Sequence, residues 1–147
     1  MRKQFLVALA GATHGGFRTA GPGALAALAE TISAQGINIR AIGGAEIGGT
    51  GGLALMVNDD QEDGLEQLLR SAGYTAVEVE SVEVELEDRP GALAEVARRI
   101  ADAGVNLESI LIIADRGDRV LVSIGIARSS VRLVKRALRG FEARTTG

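Results

Sequence analysis

The sequence predicts an α+β fold that consists of two tandem copies of one β-α-β-β-α-β unit. Two observations support this prediction. The segments PGALAALAETISAQGINIRAI (22–42) and PGALAEVARRIADAGVNLESI (90–110) align without a gap, and both carry Pro-Gly before the helix and Gly-x-Asn after it. Each segment also lies between stretches with the composition and alternation of strands, so a whole structural unit is repeated and not a single helix.

Composition limits the possible functions. The 147 residues suffice for one ordinary domain or two very small ones. Hydrophobic residues make up 46% but aromatic ones only 3%, so the core must consist of Ala, Val, Ile and Leu. A formal net charge of −3 argues against a general nucleic-acid binder. The absence of cysteine excludes thiol chemistry, and a single histidine leaves little for a zinc site, so we expect neither metal nor cofactor.

The first copy begins with a predicted strand over 4–10, followed by the Pro-Gly turn and a helix that ends at Gly36. The apolar face of this helix has the i, i+3, i+4, i+7 spacing and consists of Leu25, Leu28, Ala29 and Ile32. Strands are predicted over 37–47 and 53–57, joined by a glycine-rich turn.

A second helix closes the first copy. Asp59 with Glu62 matches a capping box that would open this helix. Its predicted apolar positions are Leu65, Leu68, Leu69 and Ala72. The stretch 74–80 is predicted to form the last strand of the copy.

The second copy repeats this order. A strand over 82–87 leads to a helix that ends at Gly104, with strands over 105–114 and 120–126 after it. The apolar face of the helix consists of Leu93, Val96, Ala97 and Ile100. Ser129 or Ser130 is expected to cap a final helix, and 141–144 to form a short last strand. That final helix carries Val131, Val134 and Leu138.

This element order is that of the ferredoxin-like unit, an antiparallel sheet with both helices on one face. The junction VEVESVEVELE (77–87) has Val77 and Val79 at odd positions but Val82 and Val84 at even ones. Because side chains alternate along a strand, we predict a bulge or break at Ser81. The modules are therefore placed at 1–80 and 81–147, with the intervening glutamates on a solvated face.

The stretch EDRPGALAEVARRIADAGVNLESI (87–110) closely resembles the ACT domain. The resemblance rests on its Asp-Arg-Pro-Gly turn, the leucine two residues after the glycine, and the Ala-Gly-Val-Asn exit from the helix. The first copy matches from Gly21-Pro22-Gly23 to Gly36-Ile37-Asn38 but lacks the acidic-basic pair before its proline. The resemblance implies a non-catalytic module that senses a small molecule, most often an amino acid. The ligand is then expected where modules meet, against the turn between first strand and first helix.

The chemistry of this turn is consistent with such a site. A Pro-Gly turn at a helix start leaves N–H groups free to bind a carboxylate or phosphate, and the Asn side chains of the following strands offer both donor and acceptor. Candidate ligand-binding residues in the second copy are Asp88, Arg89, Pro90, Gly91, Ala92, Leu93 and Asn106. Those in the first copy are Pro22, Gly23, Ala24 and Asn38. Alternatively, Pro and Gly only form the turn, and Asn only follows a helix-ending glycine.

The first copy has a longer connection before its helix, ATHGGFRTAGPG (12–23). We interpret it as an insertion in the ligand-facing turn, which makes His14 and Arg18 further candidate ligand contacts. Because an arginine in such a loop can hold phosphate, an acylphosphatase-like enzyme is an alternative. That enzyme also needs an asparagine on the neighbouring strand, and the surrounding sequence does not follow its pattern.

The preferred interpretation is therefore a regulatory protein that binds a small amino acid or related metabolite between its modules and is not an enzyme. A structural scaffold without ligand is a second alternative. Sheet edges that two modules leave open predict a homodimer. No run is long enough to span a membrane, and FLVALAGA near the N-terminus is interpreted as a buried strand and not a signal core. We expect a cytoplasmic protein that binds neither nucleic acid nor membranes.

Overall fold

The structure, a computed structural model, describes residues 2–9, 23–47 and 50–141. Chain contacts divide these residues into two compact units. The first unit comprises residues 4–78, and the second comprises 79–141 together with residues 2 and 3. Strands pair antiparallel within each unit, which confirms the predicted α+β class.

In the first unit the strand order is β2-β3-β1. Its elements are β1 (Lys3–Ala8), α1 (Ala24–Ser33), β2 (Ile39–Ile47), β3 (Thr50–Val57) and α2 (Leu65–Ser71), followed by the start of β4 (Thr75–Glu87). The core lies between the helices and the strands, with Phe5, Leu28 and Leu55 fully buried in it. Because α1 contacts the sheet through Leu28 and Ile32, the apolar face of the helix is shorter than the sequence predicts.

Two expectations for the first unit are wrong. Leu25, predicted to be in the core, is 54% exposed because it lies in the first turn of α1. Asp59 and Glu62 do not open α2, since Asp59 lies in a separate 3₁₀ turn (Asp59–Gln61) and α2 begins only at Leu65, after Gly64. No side-chain hydrogen bond caps α2, and Asp59 is too far along the chain to reach its N-terminus.

In the second unit the strand order is β4-β6-β5. The elements that follow β4 are α3 (Ala92–Asp102), β5 (Ser109–Asp115), β6 (Arg119–Ile126) and α4 (Val131–Ala137). The core includes Val84, Val96, Ile124 and Leu138, again between helices and sheet. The Glu85 N–H donates to the Phe141 carbonyl at 3.2 Å, where a closing strand was predicted, while 142–144 lie outside the described residues.

The α3 helix is rotated relative to the predicted apolar face. Ala92, Val96 and Ile100, which are four residues apart, are buried, whereas Leu93 is 50% exposed and Ala97 is also exposed. The prediction was therefore wrong at these two positions.

The segment after α3 also differs from the prediction. The strand β5 begins at Ser109, four residues later than predicted, because the Val105 N–H donates to the Ile100 carbonyl at 3.2 Å and closes the helix end. Val105 is then buried in the core as part of this cap. The N-cap position of α4 is Ser130, although its side chain makes no capping hydrogen bond.

The predicted bulge or break at Ser81 is wrong. β4 is one continuous strand of 13 residues, and its pairing with β6 is regular from Glu80 to Glu87. The odd-numbered apolar face is only partly observed, because Val79 is buried but Val77 is 46% exposed, while its neighbour Ala76 is buried. No helix in the described ranges is long and apolar enough to cross a membrane.

Candidate ligand-binding groove

An open groove of about 360 Å³ lies in the first unit beside the N-terminus of α1. Its apolar walls come from Leu9, Leu25, Ile42 and Leu53. Its remaining lining consists of Ala24, Gly43, Gly44, Ala45, Gly51, Gly52 and Glu46. Glu46 is the one ionisable side chain among the described residues that line the groove, and most of the others are apolar or glycine.

The glycines of the β2–β3 hairpin keep this groove open. Gly44 pairs with Leu53, and a Cβ atom on Gly44 would lie 2.8 Å from the Leu53 Cβ. At the offset that aligns Gly23 with Gly91, the small residues 43–45 of the first copy correspond to Leu-Ile-Ile (111–113) in the second. The two copies therefore differ in side-chain volume where the first copy has its groove.

The residue that precedes α1 has nearly the same backbone conformation as the residue that precedes α3. Gly23 and Gly91 are the N-cap residues, with φ of 89° and 88°, a left-handed conformation that favours glycine. The first intrahelical bond of α1 runs from the Ala27 N–H to the Gly23 carbonyl, at 2.9 Å. The N–H groups of Ala24 and Leu25, which precede it, have no partner within the helix and belong to residues that line the groove.

Of the site residues predicted in the first copy, Ala24 lines the groove and Gly23 immediately precedes it. His14, Arg18 and Pro22 lie outside the described residues. Leu25, Ile42 and Glu46 were missed as site residues, although the glycine-rich hairpin next to them was a signal that could have indicated them.

Asn38 lies near the other end of α1 and does not line the groove. Its side-chain Nδ2 donates to Asn58 Oδ1 at 3.1 Å, and its backbone N–H donates to Gln61 Oε1 at 2.9 Å. The Gln61 Nε2 in turn donates to the Gly36 carbonyl at 2.8 Å. These bonds join the end of α1 to the start of β2. The sequence did not indicate that Asn58 and Gln61 are the hydrogen-bond partners of Asn38.

In the second unit, Arg89 is held by acidic neighbours. Its Nε donates to Glu87 Oε2 at 2.6 Å, and its Nη2 lies 3.6 Å from Glu95 Oε2. The hydrogen bond and charge of Arg89 lower the pKa of Glu87, and the same pair raises the pKa of Arg89. Asp88, which is exposed, donates its backbone N–H to the Asp118 carbonyl at 2.8 Å.

The remaining predicted residues of the second copy do not converge within the unit. Pro90 and Gly91 are exposed at the start of α3, where Ala92 is buried and Leu93 exposed. Asn106 is exposed beyond the far end of this helix, and its side chain makes no hydrogen bond to any described residue. Because α3 has 11 residues, roughly 16 Å of helix separates Gly91 from Asn106.

No cluster of three or more His, Cys, Asp or Glu side chains in the described ranges has the arrangement of a metal site. Among the described residues, the groove offers apolar contact, helix N–H groups and one carboxylate. Those groups are suited to holding a small molecule.

Comparison with known proteins identifies an ACT domain at residues 81–143. No curated protein matches the chain significantly. Among solved structures, a protein from Bacteroides thetaiotaomicron is similar at 22% identity, with a TM-score of 0.65 over 95% of this chain and 87% of that one. The ligand-free regulatory subunit of aspartate kinase from Thermus thermophilus is similar at 18% identity, with a TM-score of 0.64, over 95% and 91%.

The regulatory subunit of aspartate kinase from Thermus flavus is similar at 17% identity, with a TM-score of 0.66, over 95% of this chain and 92% of that one. At these identities the likeness establishes the fold of the chain. It extends over nearly the whole chain, including the first unit.

Proposed function

We propose that the chain is a non-catalytic regulatory protein that binds a small amino acid in the groove of its first unit. In this proposal residues 1–80 form a second ACT-like module, in tandem with the ACT domain in the second half. The observation that carries the proposal is the groove itself, because it lies at the turn between the first strand and the first helix.

Matching features of the two copies support the tandem arrangement. Both copies have the element order β-α-β-β-α up to their last strand. In both, the first helix begins after a left-handed glycine and is followed by a second left-handed glycine, Gly36 or Gly104. The fold likeness to regulatory subunits of aspartate kinase supports a regulatory and not a catalytic role.

The chemistry of the groove suits an amino acid with an aliphatic side chain. A volume of about 360 Å³ lies within the range of small-molecule sites. We propose that Leu25 and Ile42 contact the side chain of the ligand and that the N–H groups at the start of α1 bind its carboxylate. Glu46 would bind the ammonium group. His14, Arg18 and Pro22, in the segment before Gly23, stay candidates for further contacts.

In the second unit, the partners of Arg89 favour a structural role for that residue. Its guanidinium is already bonded to Glu87 and close to Glu95. We therefore propose one principal binding site per chain, in the first unit, with the turn at 88–93 and Asn106 as secondary candidates.

The proposal includes a homodimer in the cytoplasm. In the described part of the chain, β2 pairs only with β3 inside its unit, and β5 pairs only with β6. Each of these strands therefore offers backbone groups on one side that a second chain can pair with. Light scattering at micromolar concentration should give twice the mass of 15.2 kDa.

The amino-acid site is tested by thermal-shift measurements with each of the twenty amino acids. A ligand at a hundred times its Kd stabilises by about 2.7 kcal/mol, so aliphatic amino acids should raise the melting temperature measurably. Leu25→Glu places a carboxylate in the groove and should abolish the shift. Leu93→Glu is the matched comparison, because Leu93 holds the same position in the second copy and is similarly exposed; it should keep the shift, since the principal site is in the first unit.

Equal effects of the two substitutions would place the ligand outside the groove. No shift with any amino acid at millimolar concentration would remove the amino-acid proposal and favour a scaffold without ligand.

A further inference from the structure

The stretch around α4, from the 3₁₀ turn before it to the residues after it, carries a concentration of positive charge. Between residues 128 and 141 the chain has five cationic side chains and no acidic one. These residues, called the basic stripe below, are Arg128, Arg132, Lys135, Arg136 and Arg139, and all five are exposed. The stripe contrasts with the whole chain, whose formal net charge is −3.

Three members of the stripe lie in α4, namely Arg132, Lys135 and Arg136, while Arg128 lies in the 3₁₀ turn before it (Arg128–Ser130) and Arg139 follows it. The members of the stripe follow one another at intervals of three or four residues, apart from the adjacent pair Lys135 and Arg136, which is the spacing of one helical face. The opposite side of the helix is fixed in the core by Val134 and Leu138, both fully buried. Leu133, beside the stripe, is 48% exposed and adds an apolar contact surface.

The cations of the stripe have no acidic partners in the described part of the chain. In α3, by contrast, Arg98 lies 4.0 Å from Asp102, and Arg99 lies 3.6 Å from Glu95. Like charges at i, i+4 destabilise a helix by about 0.2–0.5 kcal/mol per pair, so the stripe carries a small cost in stability. An acidic ligand on this face would remove the repulsion.

We infer that the basic stripe, together with Leu133, is the docking surface for an acidic segment of a partner protein. This inference rests on the proposed regulatory function, because a regulator that acts through a partner protein needs a surface on which that partner docks. Arginine guanidinium groups, four of the five cations, bind carboxylates through two parallel hydrogen bonds. The exposed Leu133 fits an apolar side chain within such a segment.

A nucleic acid fits this surface less well. Base stacking needs exposed aromatic rings, but Phe5 and Tyr74 are buried. Phe141, half-buried, has the guanidinium of Arg99 4.5 Å above its ring. The negative net charge of the chain also opposes a polyanionic backbone.

The test uses fluorescence polarisation with a labelled helical peptide of Glu and Leu, the same peptide with Gln in place of Glu, and a short DNA duplex. The full chain should bind the Glu peptide at low salt, bind the Gln peptide far more weakly, and lose affinity as salt screens the charges. The double variant Arg132→Glu, Arg136→Glu should weaken binding about tenfold or more, because each lost ion pair is replaced by repulsion.

The matched control is the double variant Arg40→Glu, Arg98→Glu, which makes the same charge change at exposed positions elsewhere. It should keep the peptide affinity within about twofold, since these cations lie outside the stripe. Leu133→Ser should weaken the binding of the Glu peptide but leave any binding of DNA unchanged. The inference is overturned if the wild-type chain does not bind the Glu peptide, if both double variants behave alike, or if the duplex binds more tightly than the peptide.

The melting shift with amino acids is measured on the same variants. If a variant of the basic stripe keeps this melting shift but no longer binds the Glu peptide, both proposals are supported. If the wild-type chain binds the Glu peptide but no amino acid shifts its melting temperature, the amino-acid site in the groove is contradicted and the docking surface is not.

Discussion

Gly44 lies opposite Leu53 across the β2–β3 ladder, so close that a Cβ atom on Gly44 would come 2.8 Å from the Leu53 Cβ. Directly opposed Cβ atoms in antiparallel sheets are usually about 4.5–5.5 Å apart. The same added atom would also lie 2.8 Å from the carbonyl oxygen of Gly52. Glycine at this position therefore allows a close approach of the two strands, and this approach forms one side of the groove.

Gly44→Ala should destabilise the protein, because neither the Leu53 Cβ nor the Gly52 backbone can move without shifting a strand. The expected cost is about 1–3 kcal/mol, as for other overpacked positions. Urea denaturation followed by circular dichroism measures it. Gly51→Ala is the control, since its added Cβ would find no atom nearer than 3.7 Å. It should change stability by about 0.5 kcal/mol or less, and an equal loss in both variants would contradict the steric argument.

Gly23→Ala and Gly91→Ala should each destabilise the protein by roughly 1–2 kcal/mol, because an L-residue with a side chain is strained in the left-handed conformation. Space is not the cause, since an added Cβ on Gly23 meets no atom within 4 Å, and on Gly91 only Arg89 Nη1 at 4.0 Å. Thermal and urea denaturation measure the loss. Gly91→Asn should lose less, because asparagine tolerates this conformation. A milder effect of alanine than of asparagine would contradict this explanation.

This strain also bears on ligand binding. A bulky residue at Gly91 would disturb the backbone of the turn whether or not a ligand binds there. Substitutions at Leu25 and Leu93, which are exposed, separate the two effects.

Sequence reasoning recovered the elements that depend on local periodicity. The helices with Leu28 and Ile32 or Val96 and Ile100 at their centres were predicted correctly, as was the left-handed glycine near each helix end. The predictions from sequence were wrong where tertiary contacts determine which side chains are buried. Val77 alternates with Val79 in the sequence, but only packing determines that Ala76 and not Val77 enters the core.

The groove was predicted only in part, for a related reason. The turn at Gly23 and Ala24 was recognisable from its repeated Pro-Gly pair. The glycine-rich hairpin marks the region of Ile42 and Glu46, but which of its side chains line the groove depends on the pairing register of β2 with β3. Asn38 has the same Gly-x-Asn context as Asn106, yet only Asn38 has Asn58 and Gln61 as partners, because the aligned positions in the second copy are Ile126 and Ser129.

Gln61→Ala should therefore destabilise the protein by about 0.5–1.5 kcal/mol, because it removes two hydrogen bonds that join the end of α1 to the start of β2. Asn38→Ala should have a smaller effect of the same sign, since its backbone bond to Gln61 is kept. Neither substitution should alter the affinity of the amino acid, which is measured by calorimetry.

Asn106→Ala is the matched control for Asn38→Ala, because its side chain makes no hydrogen bond to the described residues. Its free energy of unfolding should stay within about 0.5 kcal/mol of wild type. A large loss of ligand affinity in the Asn38 or Asn106 variant, with stability kept, would restore these residues as ligand contacts.

The pH dependence of the Glu87–Arg89 pair follows from the direction of the shift. The hydrogen bond from Arg89, and then its charge, hold the pKa of Glu87 below its ordinary value of 4.5. A carboxyl whose folded pKa is lowered contributes stability above its unfolded pKa, and this contribution is lost as the pH falls through the folded value. Because both side chains are exposed, the effect should be visible in the titration of Glu87 and not in the melting temperature.

Arg89→Gln should raise the pKa of Glu87 towards 4.5, as followed by NMR of the side-chain carboxyl. Arg119, whose charge also lowers this pKa, should leave a small residual shift in the variant. Salt at about 1 M should reduce the charge contribution but keep most of the hydrogen-bond contribution, since the Debye length is then about 3 Å. Arg98→Gln, on the exposed side of α3, should not change the titration, and an equal rise in both variants would contradict the pairing of Glu87 with Arg89.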